Sequence, residues 1–266
     1  GVVLPTSREV TVTRSRDGHS ESIVDRVAEE TPVSLAYHGV PQVVMMATPD
    51  HIEDLVFGFT FTESIANAVE IQSVSVSHVQ DGLQADVAIT ANRFSELLKR
   101  QRNLTGRTGC GLCGVESIDQ AIRKPSRVTA DFAISANEMH NSLLALSEQQ
   151  TLNRMVGSVH GAAWVLPGAG VQVVREDVGR HNALDKVIGA MLRKRIDPPN
   201  GYLVITSRAS YEMVLKAAAA GVSLLVAVSA PTALAIDLAH DSGMTLVGFT
   251  RDCTHVIYTH AERVSA

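Results

Sequence analysis

The sequence predicts a mixed α/β chain in two parts, a small α+β domain over residues 1–126 and a layered α/β domain over residues 127–266. Three observations carry this. In the first part short apolar runs alternate with turn signals, whereas beyond about residue 127 strand-like and helix-like segments follow one another. Strands of the second part, such as Tyr202–Thr206 and Ser223–Val228, are nearly continuous apolar runs, which marks a sheet covered on both faces. Pro125–Ser126 sets the boundary.

Taken in order, Val10–Arg14 alternates weakly. Val33–Tyr37 and Gln42–Met46 flank His38–Gly39–Val40–Pro41 and read as a hairpin. Thr48–Pro49–Asp50 offers a cap and a proline suited to the first helical position. In the helix that follows, over His51–Phe61, Ile52, Leu55, Val56 and Phe59 fall at helical spacing. A second hairpin, Ile71–Ser77 with Leu83–Ala88, turns at Asp81–Gly82. Arg93–Arg107 is polar and basic and leads into a cysteine loop, and Ser117–Arg123 reads as a short helix.

The second part opens with a helix over Ala136–Leu152 that turns Leu143, Leu144 and Leu146 inward. Strands Gly161–Leu166 and Val171–Val174 meet around Pro167–Gly168. His181–Leu192 carries two adjacent apolar rows built from Ala183, Leu184, Val187, Ile188, Met191 and Leu192. Strand Tyr202–Thr206, helix Glu212–Ala220, strand Ser223–Val228 and helix Pro231–His240 follow, then strands Thr245–Gly248 and His255–Tyr258. No internal repeat or low-complexity tract interrupts them.

Composition bounds the function. A formal net charge of −5 gives no general attraction to nucleic acid or anionic lipid, while leaving room for a local basic pocket, and 4% aromatics argues against a single-strand stacking platform. Three cysteines cannot all pair, and two stand too close to staple a secreted fold, so a reducing, cytoplasmic setting is expected. No basic start with an apolar run and cleavage site opens the chain, which begins at Gly1 rather than Met, so its natural start is expected upstream. Ala217–Ile236 lacks charge over a membrane-spanning length, but Gly221, Ser223, Ser229 and Pro231 break it into helix end, strand, turn and helix start. No membrane insertion is expected.

Two groups of residues carry chemistry. Cys110 and Cys113 lie in Thr108–Gly109–Cys110–Gly111–Leu112–Cys113–Gly114, where the glycines permit close approach to a ligand and Arg107 favours a thiolate. This frame suits a sulfur-handling enzyme. Metal binding, a dithiol cycle, persulfide relay and two inert buried thiols all remain open on spacing alone, although no second C-x-x-C completes a zinc set. The other group sits at strand-to-helix joins. Glu176–Lys186, read EDVGRHNALDK, places Arg180 and His181 where an oxyanion would bind, with Asp177 or Asp185 to orient the imidazole or accept from a base edge. The bland alternative is a solvated helix start in which Asp177 caps and Asp185 and Lys186 face water. Ser207–Arg208, with Ser210 as a helix cap, and Ser229 to Thr232, with Pro231 near the first helical position, repeat the arrangement; together they point to a phosphorylated ligand. His160 is a further candidate or a satisfied core histidine. Cys253 lacks a partner in the sequence.

These motifs resemble those of the formate dehydrogenase accessory sulfurtransferase family, FdhD. The resemblance rests on Thr108–Gly114, Glu176–Lys186 and Ser229–Thr232, with Glu212–Lys216 and Thr245–Arg251 as further blocks, and spans about residues 31 to 259. It implies a small N-terminal domain, a C-terminal cytidine-deaminase-like three-layer α/β/α domain, and a homodimer. Deamination is not implied, because the His-x-Glu and Pro-Cys-x-x-Cys zinc signature is missing. Instead, a cysteine desulfurase would place a persulfide on Cys110 or Cys113. The sulfur would pass to the molybdenum (or tungsten) bis-pterin guanine dinucleotide cofactor destined for formate dehydrogenase.

On that resemblance Cys110 and Cys113 are catalytic, and His160, Asp177, Arg180, His181, Asp185, Ser207, Arg208, Ser229 and Thr232 hold the cofactor. Arg180, His181 and Arg208 would take phosphates and Asp177 or Asp185 the guanine edge; a guanine nucleotide would mimic the cofactor, and no tightly bound structural metal is expected. Two departures from the family pattern, Ser158 and Ser207 in place of glycines, add a Cβ and a hydroxyl near the ligand. The competing function is a non-catalytic chaperone that protects the cofactor and docks it to the dehydrogenase; a structural metalloprotein is the third.

Overall fold

In the computed structural model, which describes residues 3–105 and 127–266, β1 (Ser7–Arg16) and β2 (His19–Ala28) form an antiparallel ribbon. Asp17 and Gly18, at φ 51° and 79°, make the two-residue turn whose twist matches the flanking strands. The turn signal is present in the sequence, but the polar strands that it joins alternate too weakly to reveal β2.

A four-stranded sheet in the order β4-β3-β6-β5 follows, from β3 (Thr31–Tyr37), β4 (Val40–Ala47), β5 (Ile71–Val79) and β6 (Gly82–Ile89). Both expected hairpins form. The first turns tightly at His38–Gly39; in the second Val79 pairs with Gly82, so Gln80–Asp81 form the turn, one residue earlier than expected. Helix α1 (Ile52–Thr62) and helix α2 (Ala91–Thr105) cover one face, with Val33, Leu35, Leu55, Val56, Leu83 and Leu97 buried among them. The polar, basic stretch from Arg93 lies largely in α2, whose apolar stripe is too thin to announce a helix. The Cys110–Cys113 loop, the expected helix at Ser117–Arg123 and the expected boundary at residue 126 lie outside the described residues.

Beyond residue 127, six strands run in the order β13-β12-β11-β10-β8-β9: β8 (His160–Leu166), β9 (Gly170–Asp177), β10 (Tyr202–Ile205), β11 (Leu224–Ala227), β12 (Thr245–Arg251) and β13 (Thr254–Thr259). A short pair, β7 (Ile134–Ser135) and β14 (Val264–Ser265), ties the C-terminus back to this region. Strands β10, β11 and β12 are parallel, and β8, β9 and β13 pair antiparallel.

Helices α5 (Arg180–Arg193), α6 (Tyr211–Ala219) and α7 (Ala233–Ser242) bury Leu184, Val187, Met213, Ala217, Ala235 and Ala239 on one face. Helix α3 (Ala136–Gln149) buries Met139 and Leu146 on the other, giving three layers. The expected single helix Ala136–Leu152 breaks at Gln150 into α3 and α4 (Thr151–Val156), and Leu144, expected inward, is 64% exposed. Ala217–Ile236 divides into α6, β11 and α7, and no described helix is long and apolar enough to cross a membrane.

The two sheets are joined through α1 and α5. At Gly58 and Gly189 the helices approach so closely that an added β-carbon would overlap the Asp185 or the Asp54 carbonyl. Mid-helix glycine is otherwise unfavourable, so these two positions mark backbone contact rather than flexibility.

Candidate functional site: a crevice at the strand ends

Parallel β10, β11 and β12 are each followed by a connection at the same end of the sheet, so their outgoing residues share one edge. The antiparallel β8 starts there too. Thr206 N donates to Gly161 O at 3.0 Å, and Gly161 N donates to the Thr206 hydroxyl at 2.9 Å. Across β8, His160 stands opposite Asp177, the last residue of β9, from which the chain turns into α5 at Arg180. His160, Arg180, His181, Ser207, Arg208, Ser229 and Thr232, widely separated in sequence, are thereby collected at one end.

The junctions are stitched together by backbone bonds: Ala209 N donates to Ala230 O, and Thr232 N donates to Ala209 O at 3.1 Å. The Thr232 hydroxyl accepts from Ala235 N at 3.2 Å and caps α7; Pro231 therefore precedes the cap instead of occupying the first helical turn. Ser207 is buried and donates to the Arg208 carbonyl, while Arg208 is exposed. Ser210 stands at the α6 N-cap without bonding to the helix, and its buried hydroxyl has no partner. His181 touches the Glu212 carboxylate without the alignment of a hydrogen bond.

Burial, and then the Arg180 guanidinium, hold the His160 imidazole below its ordinary range, against a smaller pull from Asp177. Neutral His160 is thus favoured in the free protein, and an anion bound beside it strengthens as pH falls through that lowered value. Arg180→Ala should raise the His160 pKa part of the way back, as followed by the imidazole proton shifts in an NMR titration; an unmoved midpoint would remove Arg180 from the neighbourhood proposed for the anion.

Asp177 and Asp185 do not face the crevice. Asp177 is fully buried: its carboxylate meets Lys186 Nζ at 2.8 Å and accepts from the backbone amides of Thr48 at 2.9 Å and Gly179 at 2.8 Å. Asn182 donates to the same carboxylate and to Met46 O. Asp185 is held by Lys216 at 2.9 Å and by the Thr62 hydroxyl at 2.8 Å. Both carboxylates are committed, so neither reads a guanine edge. Nor is this a solvated helix start, since Asp185 and Lys186 are buried.

The EDVGRHNALDK run is instead largely a joint. Glu176 accepts from the Leu152 and Asn153 amides that open α4, and burial pushes its carboxyl up. Lys186 reaches back to Asp50 at 3.0 Å and to Thr48 O at 2.9 Å. Burial would lower the Lys216 ammonium, but Asp185 and Glu63 outweigh it and hold it above its usual value. Thr48, expected to cap α1, accepts from Val178 N with its hydroxyl. His51, at φ 48°, precedes that helix with no side-chain cap. Thr48, Asp50, Thr62 and Lys216 were invisible as partners in the sequence because each acts across a long separation. Only the mid-helix glycines hinted at the contact.

Among the described residues no group of three His, Cys, Asp or Glu is placed to hold a metal. Fold and site define a three-layer α/β protein whose strand-end crevice gathers arginine, histidine and hydroxyl groups suited to an oxyanion-bearing ligand. The FdhD/NarQ family model matches residues 28–265, and the chain belongs to that family. A sulfur carrier protein FdhD of Xanthomonas euvesicatoria pv. vesicatoria (strain 85-10) is 47% identical over 263 residues, covering 98% of this chain and 94% of its own. One from Cupriavidus necator is 43% identical over 261 residues, covering 98% and 91%. The crystal structure of a Desulfotalea psychrophila protein, provisionally assigned as a formate dehydrogenase accessory protein, superposes with a TM-score of 0.78 at 26% identity, covering 98% of this chain and 100% of that one.

Proposed function

We propose that the protein is a sulfurtransferase that carries persulfide sulfur from a cysteine desulfurase to the molybdenum (or tungsten) bis-pterin guanine dinucleotide cofactor required by formate dehydrogenase. The observation that carries the reading is the gathering of His160, Arg180, His181, Arg208 and Ser229 at one sheet end, in a chain whose relatives are named sulfur carriers. Those side chains take the phosphates of the cofactor, which is cargo here. Asp177 and Asp185 hold the joint beneath them, and Thr232 and Ser207 shape the turns. A cytoplasmic homodimer, divided near residue 126, belongs to the same proposal.

The transfer chemistry falls to Cys110 and Cys113. A thiolate attacks the outer sulfur of the donor persulfide; the new S–S bond forms as the old one breaks, and the desulfurase cysteine leaves as thiolate. When the sulfur is delivered, the second cysteine attacks the inner sulfur of the carrier persulfide, leaving a Cys110–Cys113 disulfide and releasing the outer sulfur as sulfide to the metal.

Incubation with a cysteine desulfurase and cysteine, followed by mass spectrometry of the peptide holding both cysteines, tests this. A reductant-labile gain of one sulfur atom is expected, lost in the Cys110→Ala/Cys113→Ala double variant, whose unfolding temperature stays at that of the parent. Cofactor binding without any adduct would replace the proposal with the protective chaperone. Stoichiometric zinc with neither behaviour would replace it with a structural metalloprotein.

A further inference from the structure

We infer that a second pocket, beside α3 and at the opposite end of the sheet from the crevice, binds a small organic ammonium ion with an apolar body. The inference does not rest on the reading of the strand ends. The pocket, with a volume of about 410 Å³, opens between α3 and the β8–β9 hairpin. Its floor is a row of neighbours across three strands: Val171 pairs with Val165, and Val165 with Tyr202. Tyr202 starts β10 and Val165 stands near the end of β8. His160 and Thr206 mark the other ends, about 15 Å away along the strands. The sequence leaves the space above this floor unfilled. Asn137, Asn141 and Ala145 recur every four residues on α3 and line the pocket, whereas Met139 and Leu146 are buried elsewhere along the helix. Gly168 and Gly170, at φ 77° and 88°, give the hairpin turn no side chain there, and a β-carbon on either would meet nothing within 4 Å.

The polar groups of the pocket suit a cation. Among the described residues, Glu138 is the only charged side chain that lines it. Gly168 N donates to Glu138 Oε1 at 2.7 Å and fixes the carboxylate against the hairpin, while Oε2 accepts from no described residue. Ser135 already caps α3 by accepting from Glu138 N at 3.0 Å, and a carboxylate in the first turn repels an anion. Tyr202 is fully buried, yet its hydroxyl has no hydrogen-bond partner. The neighbouring Ser142 hydroxyl is not aligned with it and donates instead to Met139 O at 2.6 Å. Burial pushes the phenol up to about 12, so it stays neutral. A buried hydroxyl left unpaired destabilises the fold, and a ligand that donates to it relieves the penalty. An ammonium has three N–H donors and no acceptor. That matches the Glu138 carboxylate, the Tyr202 oxygen and the amide oxygens of exposed Asn137 and Asn141 at the rim. Val165, Val171 and Ala145 take the apolar body.

Ligand-observed NMR titrations of the full chain at neutral pH with phenethylamine, phenethyl alcohol and phenylacetate test the inference, because the three share one body and differ in charge. The amine should bind about tenfold more tightly than phenylacetate, with the alcohol between them. Glu138→Gln, whose amide oxygen still accepts from Gly168 N, should abolish that preference. Tyr202→Phe should weaken the amine several-fold. Ala145→Leu keeps a good helix former in α3 and should fill the pocket, ending binding while the unfolding temperature stays at that of the parent. Glu138→Gln reads the same site without altering the packing, so the test stands even if the added leucine disturbs the fold. A parent that binds none of the three, or binds amine and acid alike, would overturn the inference. So would amine binding that survives Ala145→Leu, or a preference for the amine that survives Glu138→Gln.

Discussion

Gly189→Ala should destabilise the protein by about 3 kcal/mol, because the new methyl group has no space between α1 and α5. The sign makes this a sharp test. Viewed as a helix alone, α5 gains from the exchange, since alanine is favoured over glycine by about 1 kcal/mol in a helix interior. The methyl would overlap the backbone carbonyl of Asp54, an atom that cannot swing aside as a flexible side chain would. Relief requires α1 to move, and α1 carries Asp54, whose carboxylate holds Arg175 at 3.0 Å and Arg193 at 2.8 Å. Displacement therefore weakens charge contacts as well as packing. Urea unfolding of parent and variant would measure the difference; a variant as stable as the parent would show that the two helices are not in backbone contact. Gly58→Ala, which meets the Asp185 carbonyl from the other side, should behave alike.

What the sequence makes legible is what depends on near neighbours. Tyr202–Thr206 and Ser223–Val228 announce buried strands because they are nearly continuous apolar runs, and the helices around them carry apolar stripes at helical spacing. From that alternation follow the parallel strands, and from the parallel strands the shared edge that collects Arg180, Arg208 and Ser229. The β1–β2 ribbon and α2 escape notice because they bury few side chains: strong polarity hides a strand or helix stabilised at its margins. In the EDVGRHNALDK run, the density of polar groups is visible but its direction is not. Asp177 meets Thr48 across 129 positions and Asp185 meets Thr62 across 123, so local pattern cannot distinguish a ligand-facing carboxylate from one that locks two sheets together.

Lys186→Met should cost about 3–5 kcal/mol, the penalty for leaving Asp177 ionised and unpaired in the interior. Methionine preserves most of the side-chain volume, so the loss would be electrostatic and not a cavity. A second substitution, at Asp177 itself, separates the two. Adding Asp177→Asn to Lys186→Met should recover part of the loss at neutral pH, since the amide oxygen still accepts from a backbone N–H and no charge is left behind. If the double variant is no more stable than Lys186→Met, the ion pair is not what anchors the EDVGRHNALDK helix to Thr48 and Asp50, and the crevice above it must be held in place by the α1–α5 contact alone.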